Sequence, residues 1–494
     1  LDSPRTSEAS LSQLDEIDLD FTNYTASSQY LFFKDCSWEV TKDGITPHEG
    51  MLPNNRFVWD NNVIPHKVKV LPPMFTITQT DDLEGNPVFD ITVGEHRSCF
   101  FNYLINTSRL YWRKELEYAW SDKGVDEANR YRTEHKFDIA GPLLTTEEIA
   151  EQKLNLINKI YAIGYNLHRY KSPSRAWAIY AMDNKIGDEE QCNGRSGKSF
   201  LFKAFRFFMQ TVNLSGRNPK LLDNPHVFDQ VDKHTGFVLI DDCDRYFPIK
   251  QFYDMVTGGM TVNPKNNKSF FLEFEESPKF GFTTNYVPRD FDSSTNARML
   301  YMVFSDYYHE KTPENDYLES RSIRNDFGRN LMTTNDYTED NWNQDCNFFA
   351  CLQFYLSMAD RGIKIQPPMD NIVKRKYKAD MGANFEDWVY GYFSEEGENV
   401  NTFVQRTKAY DDFITFAKVS KGLWSMQRFT KALRGFVELC PYIEEMNPIE
   451  FLNKDGRLLK KVDGETKEMI YLRTRQREGV FTPKTEDSNG NIPF

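Results

Sequence analysis

The chemistry in this sequence starts at Cys192-Asn-Gly-Arg-Ser-Gly-Lys-Ser199. From Asn193 onward it reads as a loop that cradles phosphates. Asn193, Gly194, Arg195, Ser196 and Gly197 bring backbone amides, Lys198 a point charge and Ser199 a hydroxyl for Mg2+. The pattern G-x-x-x-x-G-K-[ST] is met except at its first position, where Cys192 stands in place of glycine. Gly-Lys-Ser/Thr alone arises by chance about once in a few chains of this length, so the flanks must decide. Trp177-Ala-Ile-Tyr-Ala-Met182 is the continuous apolar run of a strand buried on both faces, and Phe200 to Val212 predicts an apolar helix. The bland alternative, a solvated Gly-Ser turn, lacks any reason for that strand–loop–helix setting.

Further on, Gly236-Phe-Val-Leu-Ile-Asp-Asp-Cys243 predicts a buried strand with two acids at its carboxyl end, where ligands of open α/β sheets bind. Asp241 is then placed to hold Mg2+, directly or through water, and Asp242 to orient or deprotonate an attacking water. Alone, a strand running into Asp-Asp is more often a capped turn; after a phosphate loop it becomes a Walker B strand. Lys279-Phe-Gly-Phe-Thr-Thr-Asn285 is a shorter strand ending in Asn285, suited to bonding a γ-phosphate and a lytic water, or else an ordinary turn asparagine. Arg298, just before the apolar run Met-Leu-Tyr-Met-Val-Phe, is suited to neutralising charge on a transferring phosphoryl group, with a surface salt bridge as its plain alternative. Between them, Thr261 to Phe274 predicts a hairpin with Lys265 and Lys268 near its tip, a place where lysines usually only solubilise.

Positioning these residues needs several layers. Residues 1–27 are polar and acidic, a tail or linker, and 28–97 read as a small β-rich domain. Its short strand-like pieces are Tyr30–Phe33, Arg56–Trp59, Lys67–Val70 and Met74–Thr78, separated by turns such as Asp43-Gly44 and Glu84-Gly85. Residues 98–172 are helical: Thr145 and Glu148 form a capping box, followed by Ile149, Leu156, Ile160, Ile163 and Leu167 at helical spacing. Strands and helices then alternate over 173–310, the mark of an α/β layer with a parallel sheet. Residues 311–380 form a helical lid or linker with a helix at Phe348–Ala359. The last part, 381–494, predicts a helix capped by Ser425 with the stripe Phe429, Leu433, Phe436, Val437 and Cys440, then a hairpin turning at Asp463-Gly464. Helices followed by a hairpin suggest a winged-helix-like domain, and residues 457–477 hold seven basic against three acidic residues.

The chain has 494 residues with 39% hydrophobic and 15% aromatic content, enough bulk for packed cores and against global disorder. Its net charge of −13 argues against a surface that coats nucleic acid, though not against a small basic channel. No apolar run reaches the ~18–20 residues of a membrane span, and the amino end has no signal-peptide pattern. Seven scattered Cys without a CxxC suit a reduced, cytoplasmic compartment without structural zinc. The chain opens on Leu1, so a fragment of a longer protein is the expectation.

In order and spacing, NGRSGKS, FVLIDD, MVTGGMTVNPKNNK, FGFTTNYVP and NARMLYMVF resemble the motifs of the superfamily 3 helicases, closest to the carboxyl part of poxvirus- and phage-type primase-helicases. The motifs span residues 177–304. That resemblance implies an AAA+ P-loop core over 173–310, a collar-like helical domain before it and a homo-hexameric ring. ATP would lie between subunits and single-stranded DNA in the channel. By the same resemblance Lys198, Ser199, Asp241 and Asp242 serve ATP and Mg2+, Asn285 is the sensor, Arg298 is a finger for a neighbour's ATP, and Lys265 and Lys268 track DNA. Met260 follows Gly258-Gly259 where relatives often carry an acid. No primase motif is recognisable, so priming, if any, is expected upstream, with a primase or other replication proteins as candidate partners. The implied function is a replicative DNA helicase of phage, viral or mobile-element origin, acting in the host cytoplasm. Its rivals are a nucleotide-dependent origin or replisome scaffold that does not unwind, and a small-molecule P-loop kinase.

Overall fold

The computed structural model describes residues 19–49, 56–66, 72–82, 84–120, 124–184, 195–286, 293–313, 315–332, 349–369, 381, 383–422, 424–454 and 456–475. The chain divides into two compact units, residues 1–369 and 370–494.

The first unit is mixed α/β, built around a five-stranded parallel sheet. Its strands are β6 (Ala178–Asp183), β7 (Gln210–Ser215), β8 (Thr235–Cys243), β11 (Lys279–Thr284) and β12 (Met299–Phe304), in the order β12-β6-β11-β8-β7. Every residue of β6, β11 and β12 is buried, which is why these stretches read as unbroken apolar runs rather than alternating ones. Because all five run the same way, the residues after β6, β8 and β11 meet at one edge. The strand before Asn285 lies between β6, which precedes the candidate phosphate loop, and β8, which carries the two acids.

Ahead of the sheet, β1 (Ser28–Phe32), β2 (Cys36–Thr41) and β3 (Ile45–Glu49) form an antiparallel sheet, and β4 (Phe75–Asp81) pairs with β5 (Pro87–Val93). Helices follow: α1 (Cys99–Ser108), α2 (Trp112–Leu116), α3 (Val125–Glu134) and α4 (Thr146–Leu167). The capping box on α4 has both arms, Thr145 Oγ1 accepting from the Glu148 amide and the Glu148 side chain accepting from Thr145. Helix α4 packs on α9 (Phe349–Asp360) so closely that a Cβ on Gly164 would lie 2.1 Å from the Cys351 carbonyl oxygen. One apolar cluster runs from Trp38 and Phe33 through α1, α4 and α9 to Ile179, Phe237 and Leu300 in the sheet.

Two expectations fail. The helix after the phosphate loop, α5, is only Lys198–Ala204; a 3-10 turn follows, and residues 210–212 belong to β7. The stretch is dominated by aromatic residues with Lys203, Arg206, Gln210 and Thr211 among them, and so dense an apolar pattern fits a buried strand as well as a helix. Arg56–Trp59 is not a strand either: Arg56 makes one isolated bridge to Asp20, and the chain turns at Asp60–Asn62. Lys67–Val70 lies outside the described residues. Between β8 and β12 lie α6 (Tyr253–Thr257), the hairpin of β9 (Met260–Val262) and β10 (Phe270–Leu272), and α7 (Ser293–Arg298); α8 (Ile323–Phe327) follows β12.

The second unit has its own core, with Phe385, Trp388, Phe413, Phe429 and Phe436 packed together. It comprises α10 (Ala383–Tyr392), α11 (Arg406–Ala417), α12 (Met426–Leu439) and the strands β13 (Val404–Gln405), β14 (Ile443–Met446), β15 (Leu459–Val462), β16 (Glu465–Ile470) and β17 (Leu472–Thr474). Ser425 caps α12, its side chain accepting from the Arg428 amide. Asp463 (φ 52°) and Gly464 (φ 82°) turn the β15–β16 hairpin, the double left-handed geometry of a two-residue turn. Among the described residues, no helix is long and apolar enough to cross a membrane.

Candidate functional site

At the carboxyl edge of the sheet, the loop into α5 turns at Arg195 (φ 82°) and Gly197 (φ 96°). A side chain at Gly197 would be strained, and its Cβ would come within 2.9 Å of the Tyr103 ring. Tyr103 of α1 donates its hydroxyl to the Gly197 carbonyl at 2.8 Å, so a helix of the preceding layer holds the loop directly. Asn193 and Gly194 lie outside the described residues; Arg195 reaches Glu310 at 2.7 Å on the surface.

Lys198 is buried, and its ammonium donates to three oxygens: Asp183 Oδ1 at 2.5 Å, Ser196 Oγ at 2.9 Å and Asn285 Oδ1 at 3.0 Å. Asp183 ends β6 and is itself buried. Burial raises its pKa above the usual carboxylate value, and the Lys198 ammonium offsets this without cancelling it.

Ser199 donates its hydroxyl to Asp241 Oδ1 at 2.6 Å, Thr283 donates to the same oxygen at 2.7 Å, and Lys203 pairs with Asp241 Oδ2 at 3.2 Å. Burial alone would raise the Asp241 pKa, but the hydrogen bonds from Ser199, Thr283 and Lys203 and the Lys203 charge bring it below the ordinary value. Asp241 is therefore an ionised acid beside a hydroxyl, a hard oxygen pair of the sort that takes Mg2+.

Asp242 sits on a bulge. Ile240 faces Phe282 and Cys243 faces Thr284, so Asp241 and Asp242 together oppose the single residue Thr283. The extra residue puts Asp242 at φ 59°, in the left-handed region that aspartate tolerates better than most residues with a side chain. Thr283 Oγ1 accepts from the Asp242 amide at 2.8 Å, fixing the distortion. The Asp242 side chain reaches outward to Arg217, Nε to Oδ2 2.6 Å.

Lys198, Ser199, Asp241 and Asn285 are thus gathered in one place, with Asp242 next to them. Arg298 is elsewhere. It ends α7, directly before the amino end of β12, and the six residues of β12 put roughly 17 Å of strand between it and the carboxyl edge. Its Nη1 donates to the Ser294 carbonyl at 3.2 Å and hydroxyl at 2.8 Å, the guanidinium lies over Tyr253, and the buried Nε has no partner. Lys265 and Lys268 are exposed on the turn between β9 and β10, where Asn266 adopts φ 61° and His226 Nδ1 bonds the Asn263 carbonyl at 2.7 Å. Among the described residues, no hydrogen bond or ion pair links this hairpin to the Lys198 group.

Sequence reasoning missed Asp183, Thr283, Lys203, Arg217 and Tyr103. Asp183 left a trace, as the polar residue ending the run from Trp177; the others reach the site across tertiary contacts with no local mark.

No protein-family model matches the chain, and no curated protein matches it. Among solved structures, the A form apo structure of the NrS-1 C-terminal region is similar over 90% of this chain and 97% of that one, at 11% identity and a TM-score of 0.31. A second apo structure of that region gives 90% and 96%, 11% identity and 0.27. JCV helicase with a bound thiazolopyridine compound is similar over 67% of this chain and 65% of that one, at 9% identity and 0.24. At such scores the likeness carries no weight, and the residues at the sheet edge must carry it instead.

Proposed function

We propose that the chain is an ATP-driven motor on single-stranded DNA, a superfamily 3-type helicase with an AAA+ core that works as a homo-hexameric ring. The observation behind this reading is the convergence at the carboxyl edge: Lys198 bonded to Asn285, and Ser199 bonded to Asp241. A cation, a hydroxyl, an ionised acid and a polar sensor within bonding distance of one another are what phosphoryl chemistry on a nucleotide needs. Ser199 and Asp241 are the residues that would hold Mg2+, which when bound supplies positive charge against the phosphate oxygens.

The chain's own groups do the rest. Lys198 meets the phosphates by exchanging its bond to Asp183 for one to the nucleotide. Asn285, already bonded to Lys198, registers that exchange and hands it to β11. Asp242, turned outward to Arg217, accepts the proton of the attacking water once it swings in. Arg298 lies at the opposite end of β12 from its own loop, so the nucleotide it can serve belongs to a second subunit. The exposed Lys265 and Lys268 of the β9–β10 hairpin then face a DNA strand, six copies gathering a dozen cations.

Strand displacement with ATP, run alongside native mass measurement, tests the reading. The expected result is unwinding by a hexamer, with Lys198→Ala losing nucleotide binding. Unchanged nucleotide affinity in that variant removes the loop from the site. Phosphoryl transfer to a small molecule without DNA, or assembly without displacement, replaces the motor by a kinase or a scaffold.

A further inference from the structure

The amino edge of the same sheet encloses a cavity of about 630 Å3, within the range of nucleotide-sized ligand sites. Its walls come from the start of β7, the residues before β8, the end of α4 and the β-rich layer around β1. None of the groups at the carboxyl edge lines it.

Three features of this cavity want a ligand. First, Arg169 lines it with a guanidinium that makes no hydrogen bond or ion pair among the described residues; only its backbone amide is tied, to Gln29 Oε1 at 2.9 Å. Burial lowers its pKa, and the nearby Tyr24 and Asp232 offset this without cancelling it. Second, Arg206 and Lys233 also line the cavity, against the single acid Glu276 among its described walls. Behind Arg169, Lys171 and Lys279 are buried with only neutral partners: Ser277 Oγ at 2.6 Å for the first, the carbonyls of Tyr165 and His168 at 2.6 and 2.5 Å for the second. Third, Trp59 offers a half-exposed indole at the cavity wall, held by Phe21 stacked at 4.7 Å, with the Lys233 ammonium 5.5 Å from its centroid. Asn23, another wall residue, has a buried Oδ1 without a partner.

We propose that this cavity is a second ligand site, taking a phosphate-bearing nucleotide unit with its base on Trp59 and its phosphate on Arg169. An aromatic platform beside cations is the arrangement that holds bases and backbone together without reading sequence. The unit comes either from a free nucleotide or from a nucleic-acid strand; both offer the same base and phosphate. The proposal stands on the amino edge alone and survives failure of the motor reading.

The test uses the full chain carrying Lys198→Ala, Lys265→Ala and Lys268→Ala, which silences the other candidate sites. Calorimetric titration is done with dAMP, with a 5′-phosphorylated thymidine octamer and with its unphosphorylated twin. One equivalent of at least one probe should bind per chain. Arg169→Gln should weaken that binding at least tenfold, Arg169→Lys less, and Trp59→Ala about tenfold. Binding of dAMP assigns a free nucleotide, preference for the phosphorylated octamer assigns a strand end, and equal binding of the twins assigns an internal unit. No binding by any probe overturns the proposal, as does binding that Arg169→Gln and Trp59→Ala leave unmoved. Should Arg169→Gln not fold, Trp59→Ala and Lys233→Ala decide.

Discussion

At the carboxyl edge of the sheet, Lys198, Lys203 and Arg217 each hold a carboxylate, those of Asp183, Asp241 and Asp242 in turn. At the amino edge Lys171 and Lys279 hold a hydroxyl and carbonyls, and among the described residues the Arg169 guanidinium makes no hydrogen bond or ion pair, with Tyr24 and Asp232 acting on it only through their charge. Burial is the main reason that Lys171 falls to about 7 and Lys279 well below its usual value; neighbouring cations push both further, with Glu275 opposing them at Lys171. The two edges share a backbone frame, so the contrast is one of side-chain partners. A cation paired with an acid can trade it for another anion at little net change. A cation among carbonyls is short of charge until an anion arrives.

Four experiments break or sharpen this contrast. The largest effect is expected at Arg298, which lies before the amino end of β12, away from the groups gathered at the carboxyl edge. Arg298→Ala should cut ATP turnover by ~10³–10⁵ with nucleotide binding largely kept. Mixing it with Lys198→Ala subunits should restore part of the turnover; no rescue at any ratio would place the whole site in one chain.

The next tests the amino edge through His168, buried there with Nε2 bonded to the Thr25 carbonyl at 2.8 Å and Nδ1 unpartnered. Burial first, then the Lys279 charge, pushes its pKa down to about 3. The unfolded chain takes up a proton near pH 6.5 that the folded chain refuses, so stability is full above that pH and is lost as pH falls. Between pH 6.5 and 5 the wild type should lose about 1.5 kcal/mol through this group. Denaturation midpoints of His168→Gln should lack that slope; an identical slope would clear His168 of the effect.

Third, Asp183→Asn removes the acid that occupies Lys198. With a charged hydrogen bond worth about 1.5–3 kcal/mol, nucleotide should bind roughly tenfold more tightly. Weaker binding in a fluorescent-nucleotide titration would mean that Asp183 orients the lysine rather than competing for it. The smallest effect is at Arg217, whose pair with Asp242 is exposed. Arg217→Ala should leave the thermal midpoint nearly unchanged; a large loss would show that the pair braces the bulge.

The sheet was readable because strands buried on both faces leave runs such as Phe237-Val-Leu-Ile240 that nothing solvated would carry. The α4 cap and the turns at 463–464 were readable because their partners lie within a few residues. Lys198, Ser199, Asp241 and Asn285 were readable because spacing along parallel strands converts directly into shared position at one edge. Arg217, Lys203 and Tyr103 were not, since each reaches the site through tertiary packing that leaves no local pattern. The overlong helix after Ser199 has a local root: Phe205, Phe207, Phe208 and Met209 carry the apolar pattern past the end of α5 to the start of β7, so composition could not mark where α5 ends.

One phenol has a mechanical meaning. Tyr103 grips the Gly197 carbonyl while its ring stacks on Tyr308 at 5.9 Å and meets Phe200 edge-on at 4.8 Å. A loop anchored in this way cannot deform privately. Any rearrangement at Gly197 either snaps that tether or drags α1 with it, so the amino-terminal layer is coupled mechanically to this loop.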